Sequence, residues 1–600
     1  MCVAALLALF LSNFLSAAQQ AQGLCPDGTT TFSLTVYTSA WGGEVSWYIT
    51  DEENEELYED DGYTDNSVYT YEICLEDGCF VFHMHDSYGD GWNGGSFILS
   101  TEFGETVISG ALENGTDGEL VFGVNAWCPV YGCIDVNSIN FDPQANTDDG
   151  SCIPFVSSNL PIVLIETNGQ YIPDNPRIIA HMGIIHNSSG VNTLSDSLNN
   201  YDGQISIEIR GSSSQGFPKK SFALETQNED GSNNNVSLID MPAENDWILH
   251  APYSDKSLMR NALTFELGRQ IGRYTPRTKF CEVFINGEYK GIYLLMESIK
   301  RDANRIDIAN LLPEDSDGDE LTGGYILKVD KFTGSGGGGW DSDYMTEGQS
   351  NNLYIQYHRP KGSELVDEQK QYIQNYVDEF EDALAGPNFA DTAIGYAKYC
   401  DPLSFIDLSL INELSRNIDG YRLSTYFYKD KDSNGGKLTM GAWWDYNLTY
   451  GNADYCEGGD IDGWEVQSGC GNDNPFWFER LKDDEVYENQ MKCRWTKLRQ
   501  NEWSDSSITY LVDSMTNLLA EAQVRNFAIW DILGTYVWPN VYVSSETHQD
   551  EVDYMLNWLD GRLGWIDSNL PGICPEGCMD VNACNFSPSA MCDDGSCDYL

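Results

Sequence analysis

Two short stretches set single acidic residues among aromatic and apolar neighbours. Residues 415–430 read SRNIDGYRLSTYFYKD, and residues 443–452 read WWDYNLTYGN. Asp419 and Asp445 are these acids, whereas most acids of the chain lie in polar, Gly-rich surroundings. Such a pair suits phosphoryl transfer, in which one carboxylate orients or deprotonates a hydroxyl and the other holds the metal that bridges phosphates. The alternative is that both acids only cap elements or form ion pairs.

A helix and a hairpin must position the two acids. The segment SFIDLSLINELSRNI is predicted to be an amphipathic helix, and Asp419 follows its end. The segment LSTYFYKDKDSNGGKLTMGAWWDY is predicted to form a strand, an acidic Gly-containing turn and a second strand. This hairpin places Asp419 and Asp445 at its two open ends, on the same side.

An earlier segment, residues 209–225, reads IRGSSSQGFPKKSFALE. Its Ser-rich turn lies between glycines and leads into a strand that opens with Lys219 and Lys220. Small residues let backbone amides approach an anion, and a strand lysine can reach phosphate oxygens. A solvated hairpin is the alternative interpretation of this segment.

Two more segments carry candidate site residues. Asp255 is a plausible N-cap for a helix that carries Arg260, which faces either a site or solvent. Asn286–Gly287 predicts a tight hairpin between two apolar strands. The second strand runs into Glu297, and a buried strand that ends in an exposed segment can offer backbone groups to an adenine edge.

Six motifs in this order resemble those of the spore-coat CotH kinase family, an atypical secreted branch of the protein-kinase-like fold. They lie within residues 209–452 and read RGSSSQGFPKKSF, DWILHAPYSDKSLMRNAL, RTKFCEVFINGEYKGIYLLMESIKR, GGYILKVDK, NIDGY and WWDYNLTYGN. The resemblance implies ATP as the nucleotide and Mg²⁺ or Mn²⁺ as the metal. The flanking regions lie outside it.

The resemblance also implies roles for individual residues. Asp419 corresponds to the catalytic acid that faces the substrate hydroxyl, and Asp445 corresponds to the metal-binding acid. Lys219 or Lys220 would neutralise the nucleotide phosphates. Glu297 lies where the hinge toward adenine is expected.

Two further residues of the resemblance are less specific. Arg260 falls in the helix motif of the family and is a cofactor-binding candidate with no assigned role. Asn447 stands two residues after Asp445, where the family often has a second acid. An Asn can still coordinate magnesium through its carbonyl oxygen, so Asn447 remains a predicted metal ligand.

The predicted fold is multidomain, with an α/β (α+β) region at residues 158–567 whose strand-rich half precedes a helix-rich half. That order indicates two lobes with a cleft between them, as in a protein-kinase-like domain. Alternating strands at residues 24–126 predict a β-sandwich. Small disulfide-rich repeats flank the two-lobed region at residues 127–153 and 573–600. Residues 1–18 are predicted to be a signal peptide.

The two repeats read CIDVNSINFDPQANTDDGSC at 133–152 and CMDVNACNFSPSAMCDDGSC at 578–597. They resemble Cys- and Asp-rich modules of secreted proteins from marine Bacteroidetes-like bacteria. The second copy adds Cys584 and Cys592, which most simply pair with each other. The acidic DDG turns predict either structural Ca²⁺ sites or plain turns.

Composition narrows the class of protein. The 600-residue chain has a formal net charge of −61, which disfavours nucleic acid and anionic lipid as partners. No stretch after the N-terminus is long and apolar enough for a membrane span. The 17 cysteines of an exported chain indicate disulfides, with zinc at Cys574 and Cys578 as the alternative.

The leading functional hypothesis is a secreted, Mg-dependent kinase that transfers the γ-phosphate of ATP to Ser or Thr of an exported or surface protein. A non-catalytic surface adhesin or binding protein is the first alternative, because fungal relatives in the family look like surface ligands for host receptors. A calcium-bridged extracellular matrix or coat protein is the second.

Overall fold

The computed structural model describes residues 25–26, 28–89, 91–112, 115–136, 138–332, 338–345, 352–468, 470, 473–587, 590, 592–593 and 595–599. The predicted signal peptide at 1–18 lies outside the described residues. The chain divides into two compact units. The first extends to Ile134 and includes Asp142–Cys152 and Gly216–Pro218; the second comprises Asp135–Phe141, Ile153–Gln215 and the chain from Lys219 onward.

Strands and helices are numbered in chain order. The strands of the first unit are β1 (Thr30–Tyr37), β2 (Val45–Thr50), β3 (Glu56–Asp60), β4 (Val68–Leu75), β5 (Gly78–Asp86), β6 (Ser96–Thr101), β7 (Thr106–Gly110), β8 (Asp117–Val124), β9 (Tyr131–Gly132) and β10 (Thr147–Asp148). Those of the second are β11 (Ile162–Glu166), β12 (Ile178–Ile185), β13 (Tyr201–Arg210), β14 (Ser221–Gln227), β15 (Asp246–His250), β16 (Thr278–Ile285), β17 (Glu288–Glu297), β18 (Tyr325–Val329), β19 (Gly339–Met345), β20 (Asn352–Arg359), β21 (Thr425–Lys429), β22 (Thr439–Met440), β23 (Glu576–Gly577) and β24 (Cys592–Asp593). The helices are α1 (Arg260–Gln270), α2 (Asp367–Ala385), α3 (Pro402–Ser415), α4 (Trp477–Leu481), α5 (Glu485–Gln500), α6 (Asp505–Leu519), α7 (Ala522–Ile529) and α8 (His548–Asn569).

The N-terminal part of the first unit is β-rich, as the alternating sequence predicts. Two four-stranded antiparallel sheets, with orders β4-β1-β6-β7 and β3-β2-β5-β8, share one hydrophobic core. Every second residue of β1 is buried, because successive side chains of a strand point to opposite faces. Disulfides Cys25–Cys74 and Cys79–Cys128 add covalent links between distant parts of this unit.

The strand-rich half of the second unit closes into a seven-stranded barrel with the order β11-β12-β13-β14-β15-β17-β16. Parallel pairing of β11 with β16 closes it. The predicted Asn286–Gly287 hairpin is present between β16 and β17, with φ of 51° and 80° at the two turn residues. Mixed strands and helices in one multidomain chain are therefore confirmed, and the kinase-like arrangement of two lobes stays a prediction.

The rest of the second unit combines helices with a five-stranded sheet of order β19-β20-β18-β21-β22. The sequence prediction that helices dominate this half is correct. One helix start differs from the prediction: α1 begins at Arg260 after Met259, and Asp255 is not its N-cap. The Asp255 carboxylate instead accepts the Arg260 N–H from five residues earlier, at 2.9 Å.

The cysteines resolve into six disulfides among the described residues. Cys574 pairs with Cys493 and Cys578 pairs with Cys597, so the zinc alternative for Cys574 and Cys578 is wrong. Cys584 bonds to no described cysteine, and the Cys592 side chain lies outside the description, so their pairing stays a prediction.

The two repeats share one local structure. Disulfides Cys133–Cys152 and Cys578–Cys597 each span 19 residues. A short parallel strand pair accompanies each of them, β9 with β10 and β23 with β24. Within the described residues, no helix has both the length and the apolar character needed to cross a lipid bilayer.

Candidate functional site

Three acidic residues lie at one edge of the five-stranded sheet. Strands β18, β21 and β22 are antiparallel neighbours, with Val329 opposite Thr425. The edge at which β18 and β22 end is therefore the edge at which β21 begins. Asp330 directly follows β18, Asp419 precedes β21, and Asp445 follows β22. We call this edge, with its three acids, the acidic sheet edge.

Asp330 is anchored to both neighbouring segments. Its Oδ1 accepts the N–H of Lys331 at 2.9 Å and that of Ser424 at 3.3 Å. Its Oδ2 accepts a hydrogen bond from Lys328 Nζ at 2.9 Å. The motif GGYILKVDK includes Asp330, but no role was assigned to Asp330 from the sequence. The sequence signal that could have identified Asp330 is an acidic residue directly after a fully buried strand.

Asp419 is held in a tight turn after α3. The helix ends at Ser415, and Asn417 Oδ1 accepts the Asp419 N–H at 3.2 Å. Arg422 Nη2 donates to Asp419 Oδ1 at 2.7 Å. Both side chains of this ion pair are less than one-fifth exposed, so the carboxylate is oriented but still reached by solvent.

Asp445 has a left-handed backbone, with φ of 64°, and a solvent-accessible side chain. Its carboxylate forms no hydrogen bond or ion pair with another described residue. Although water reaches the side chain, the surrounding protein displaces enough solvent to raise its pKa to about 6. The charges of Asp419 and Asp330 raise this pKa further, and those of Arg210 and Lys331 lower it.

The start of α1 supports the loop that carries Asp445. Asn261 Oδ1 accepts the N–H of Tyr446 at 2.7 Å, and Arg260 Nε donates to the carbonyl of Thr449 at 2.9 Å. The Arg260 guanidinium is fully buried and pairs with Asp255, the Nη1–Oδ1 distance being 2.5 Å. These contacts favour a positioning role for Arg260. Its predicted contact with a cofactor stays a prediction.

Both candidate phosphate-binding lysines donate to acceptors within the protein. Lys219 is buried, and its Nζ donates to the Ile292 carbonyl at 2.7 Å and to Asn526 Oδ1 at 2.8 Å. Burial lowers the pKa of Lys219 to about 7. Lys220 is half-buried, and its Nζ donates to the Gln215 carbonyl at 2.7 Å. Their predicted phosphate contacts are not tested by these bonds.

Glu297 lies at the end of β17, as the sequence predicts, and its side chain is fully buried. It accepts hydrogen bonds from Arg277 Nη1 and the Arg277 N–H, both at 3.0 Å, and from Tyr274 OH at 3.3 Å. This saturated carboxylate favours a structural role for the side chain. Asn447 is half-buried, and its backbone carbonyl oxygen accepts a hydrogen bond from Asn452 Nδ2 at 3.0 Å.

A small cavity of about 120 Å³ lies between the barrel and the five-stranded sheet. Arg210, at the end of β13, lines it, and its guanidinium carbon lies 5.5 Å from the centre of the Trp444 ring. Tyr426 and His358 belong to the same wall. Sequence reasoning did not select Arg210, which stands beside the Ser-rich turn in the segment that supplied the two lysines.

The donor set suits a hard divalent cation. Asp445 and Asn447 offer oxygen atoms, as Mg²⁺ and Mn²⁺ prefer, with Asp330 and Asp419 nearby. Within the described residues these acids do not form a closed three-ligand cluster. Magnesium is commonly held by one or two carboxylates together with water and substrate phosphates, so an open set of donors fits it.

The family model described as CotH kinase protein matches residues 207–566. The chain belongs to the CotH kinase protein family. Every candidate residue of the acidic sheet edge, and Arg210 beside it, lies inside the matched segment.

A curated relative carries a similar stretch. The chain is 32% identical over 95 residues to a protein named inner spore coat protein H, from Bacillus subtilis strain 168. The similarity covers 16% of this chain and 24% of the relative, so the chain spans about a quarter of that relative's length. The CotH kinase assignment rests on the family model, which extends much further along the chain.

Proposed function

We propose that this CotH kinase family member is a secreted phosphotransferase. It transfers the γ-phosphate of ATP to a Ser or Thr hydroxyl of an exported or surface protein, releasing ADP and the hydroxyl proton, with Mg²⁺ or Mn²⁺ as the metal. The observation that carries the proposal is the convergence of Asp419 and Asp445 at one edge of a sheet. This edge lies within the family-matched segment and adjoins a cavity whose lining includes Arg210, Tyr426 and Trp444.

The two acids take different roles because their surroundings differ. Asp419, oriented by Arg422, accepts a hydrogen bond from the acceptor hydroxyl and directs it toward the phosphate. Asp445 forms no ion pair or hydrogen bond with a described residue and, with Asn447, would hold the metal. When bound, the metal neutralises charge on the phosphates. Positioning and charge neutralisation supply the rate.

Two features of the chain support export as part of this proposal. The apolar N-terminal segment has the composition of a signal peptide, and six disulfides are present among the described residues. Disulfides persist in oxidising compartments. Cell-surface or matrix association and structural Ca²⁺ in the two repeats belong to the same proposal, and melting that EDTA leaves unchanged would remove the calcium part.

The experiment is transfer of labelled phosphate from ATP to a Ser-rich acceptor protein by the full chain with Mg²⁺ or Mn²⁺. D419N and D445N are each expected to lose at least ~100-fold in rate, because each removes a carboxylate that contacts the acceptor hydroxyl or the metal. D460N is the matched control, since Asp460 is exposed and lies outside the acidic sheet edge. Equal transfer by all four proteins would contradict the proposal.

A non-catalytic binding protein is the second candidate. Two observations favour it: Asp419 is already paired with Arg422, and Asn447 carries no charge where a second acid is common in the family. This candidate predicts no phosphate transfer by the wild type and no shift in melting temperature with ATP and Mg²⁺. Transfer that depends on Asp419 would exclude it.

A further inference from the structure

Arg210 occupies a constrained place at the end of β13. It pairs with Ser221 of β14, and the chain turns immediately afterwards at Gly211, whose φ is 127°. A side chain at position 211 would be strained by this φ, and its Cβ would lie 2.2 Å from Ser214 Oγ. The backbone is thus defined on both sides of Arg210.

Within the described residues, Arg210 forms no ion pair and no side-chain hydrogen bond. Nearby cations of the barrel behave differently: Arg177 pairs with Glu208 and Glu225, and Lys300 contacts two acids. The chain has 94 acidic and 33 basic residues, so carboxylates are abundant. An arginine without one in such a chain reflects the local arrangement of the site.

Trp444 supports this guanidinium. The indole is largely buried, and the guanidinium carbon lies 5.5 Å from the ring centre, within the range of a cation–π contact. Trp444 directly precedes Asp445 in the chain. One short segment therefore carries both the platform for the cation and the unpaired acid of the acidic sheet edge.

Arg210 lies close to Asp445 in the fold without pairing with it. Its guanidinium contacts Trp444, the residue before Asp445, and no ion pair joins Arg210 to Asp445. A cation and an anion that lie near each other without forming an ion pair suit a ligand that carries both signs. A phosphate with its bound divalent metal is such a ligand, because arginine binds phosphate oxygens and a carboxylate binds the metal.

We propose that Arg210, held over Trp444, is the phosphate-binding cation of this site, in place of Lys219 and Lys220. The ligand it takes is the phosphate chain of a nucleoside di- or triphosphate. The two lysines donate to protein acceptors and stabilise the barrel. This inference rests on the proposed function, because it concerns the same site and the same substrate.

The test measures binding to the full chain by isothermal titration with Mg²⁺ present. The probes are ADP, adenosine and inorganic tripolyphosphate. R210M is expected to weaken ADP binding by at least ~10-fold, because a charge-assisted contact is lost. Its adenosine binding should stay within about 2-fold of wild type, since adenosine has no phosphate. R210K should bind ADP with an affinity between those of wild type and R210M, because lysine keeps the charge but lacks the planar fork of arginine.

K220M is the matched control, being the adjacent lysine on the same hairpin. It should bind ADP within about 3-fold of wild type. The inference would be overturned if R210M bound ADP like wild type. It would also be overturned if K220M, and not R210M, lost affinity for ADP while keeping its affinity for adenosine. Urea unfolding midpoints of all variants verify that each is folded, and an unfolded R210M is replaced by R210K, for which the same comparison decides.

The three probes separate this inference from the proposed function. Arg210-dependent binding of tripolyphosphate without binding of adenosine or ADP would uphold the phosphate role and reject the nucleotide. Binding of ADP that R210M does not change would uphold the nucleotide and reject Arg210. Wild type that binds none of the probes would reject both.

Discussion

The second unit contains two sets of charged residues that differ in one respect. Beneath the Asp445 loop, Asp255 and Arg260 are buried and form an ion pair with each other, and Glu297 is enclosed by hydrogen-bond donors. At the acidic sheet edge, Asp445 forms no ion pair or hydrogen bond with a described residue, and Arg210 beside it contacts Trp444 but pairs with no described acid. The sequence singles out Arg260, Glu297 and Asp445 alike, and only the contacts in the folded protein separate Asp445 from the other two.

The paired residues and the unpaired residues should therefore have different roles. A closed buried pair stabilises its surroundings and leaves nothing to offer a ligand, so its removal should act on folding. An unpaired charge in a solvent-accessible place gains nothing from the fold and remains available to a ligand. Variants of the closed set should therefore change stability, and variants of the open set should change binding.

The largest expected effect is on the closed set. R260M leaves Asp255 as a buried charge without its partner, which should lower the free energy of unfolding by about 3–5 kcal/mol. Urea unfolding measures it. R269M on the same helix is the control, because Arg269 forms a partly exposed pair with Glu266 and should cost about 1 kcal/mol or less. Equal costs for the two variants would break the comparison.

A second effect concerns a buried acid with only neutral donors. Glu381 accepts hydrogen bonds from Ser342 Oγ and Trp477 Nε1, and burial raises its pKa from 4.5 to about 7. The folded protein thus binds this proton more tightly than the unfolded chain does. The resulting stability is fully present below pH 4.5 and is lost as pH rises to about 7.

Substitution of this acid tests the pH dependence. Between pH 4.5 and 7, wild type should lose up to about 3 kcal/mol more stability than E381Q, whose amide does not titrate. Urea unfolding at several pH values gives the two curves. E379Q, at an exposed position of the same helix, should follow wild type. Parallel curves for wild type and E381Q would show that Glu381 does not titrate in this range.

The smallest expected effect is a gain at the acidic sheet edge. N447D adds a carboxylate two residues after Asp445, which should tighten Mn²⁺ binding in the presence of ADP by up to ~10-fold, about 1.4 kcal/mol. Titration of Mn²⁺ followed by electron paramagnetic resonance measures it. The exposed N388D variant should not change the affinity. Unchanged or weaker binding by N447D would place residue 447 outside the metal site.

Local structure was accessible from the sequence. The β16–β17 hairpin follows from Asn286–Gly287, and the long helices of the C-terminal half follow from their apolar periodicity. Closure of the barrel could not be predicted from the sequence, because β11 and β16 pair across more than 110 residues and no local signal encodes that register. The disulfide Cys493–Cys574, which spans 81 residues, was hidden for the same reason.

The candidate site divides in the same way. Asp419 and Asp445 were found because both interrupt apolar segments, and the hairpin between them is local. Arg210 and Asp330 join them only when the barrel and the sheet are assembled, so sequence spacing could not group them. The lysines were selected for their residue type, and only the folded protein shows that their Nζ atoms donate to protein acceptors.

The most direct test of the acidic sheet edge as a metal–nucleotide site is Mn²⁺ binding to the full chain with ADP, followed by electron paramagnetic resonance. We expect tight Mn²⁺ binding by wild type and D460N, and at least ~10-fold weaker binding by D445N, whose urea unfolding midpoint should be no lower than that of wild type because the raised pKa of Asp445 makes its charge unfavourable to folding. Equal Mn²⁺ affinities for wild type and D445N would contradict the account, because the metal would then be held elsewhere.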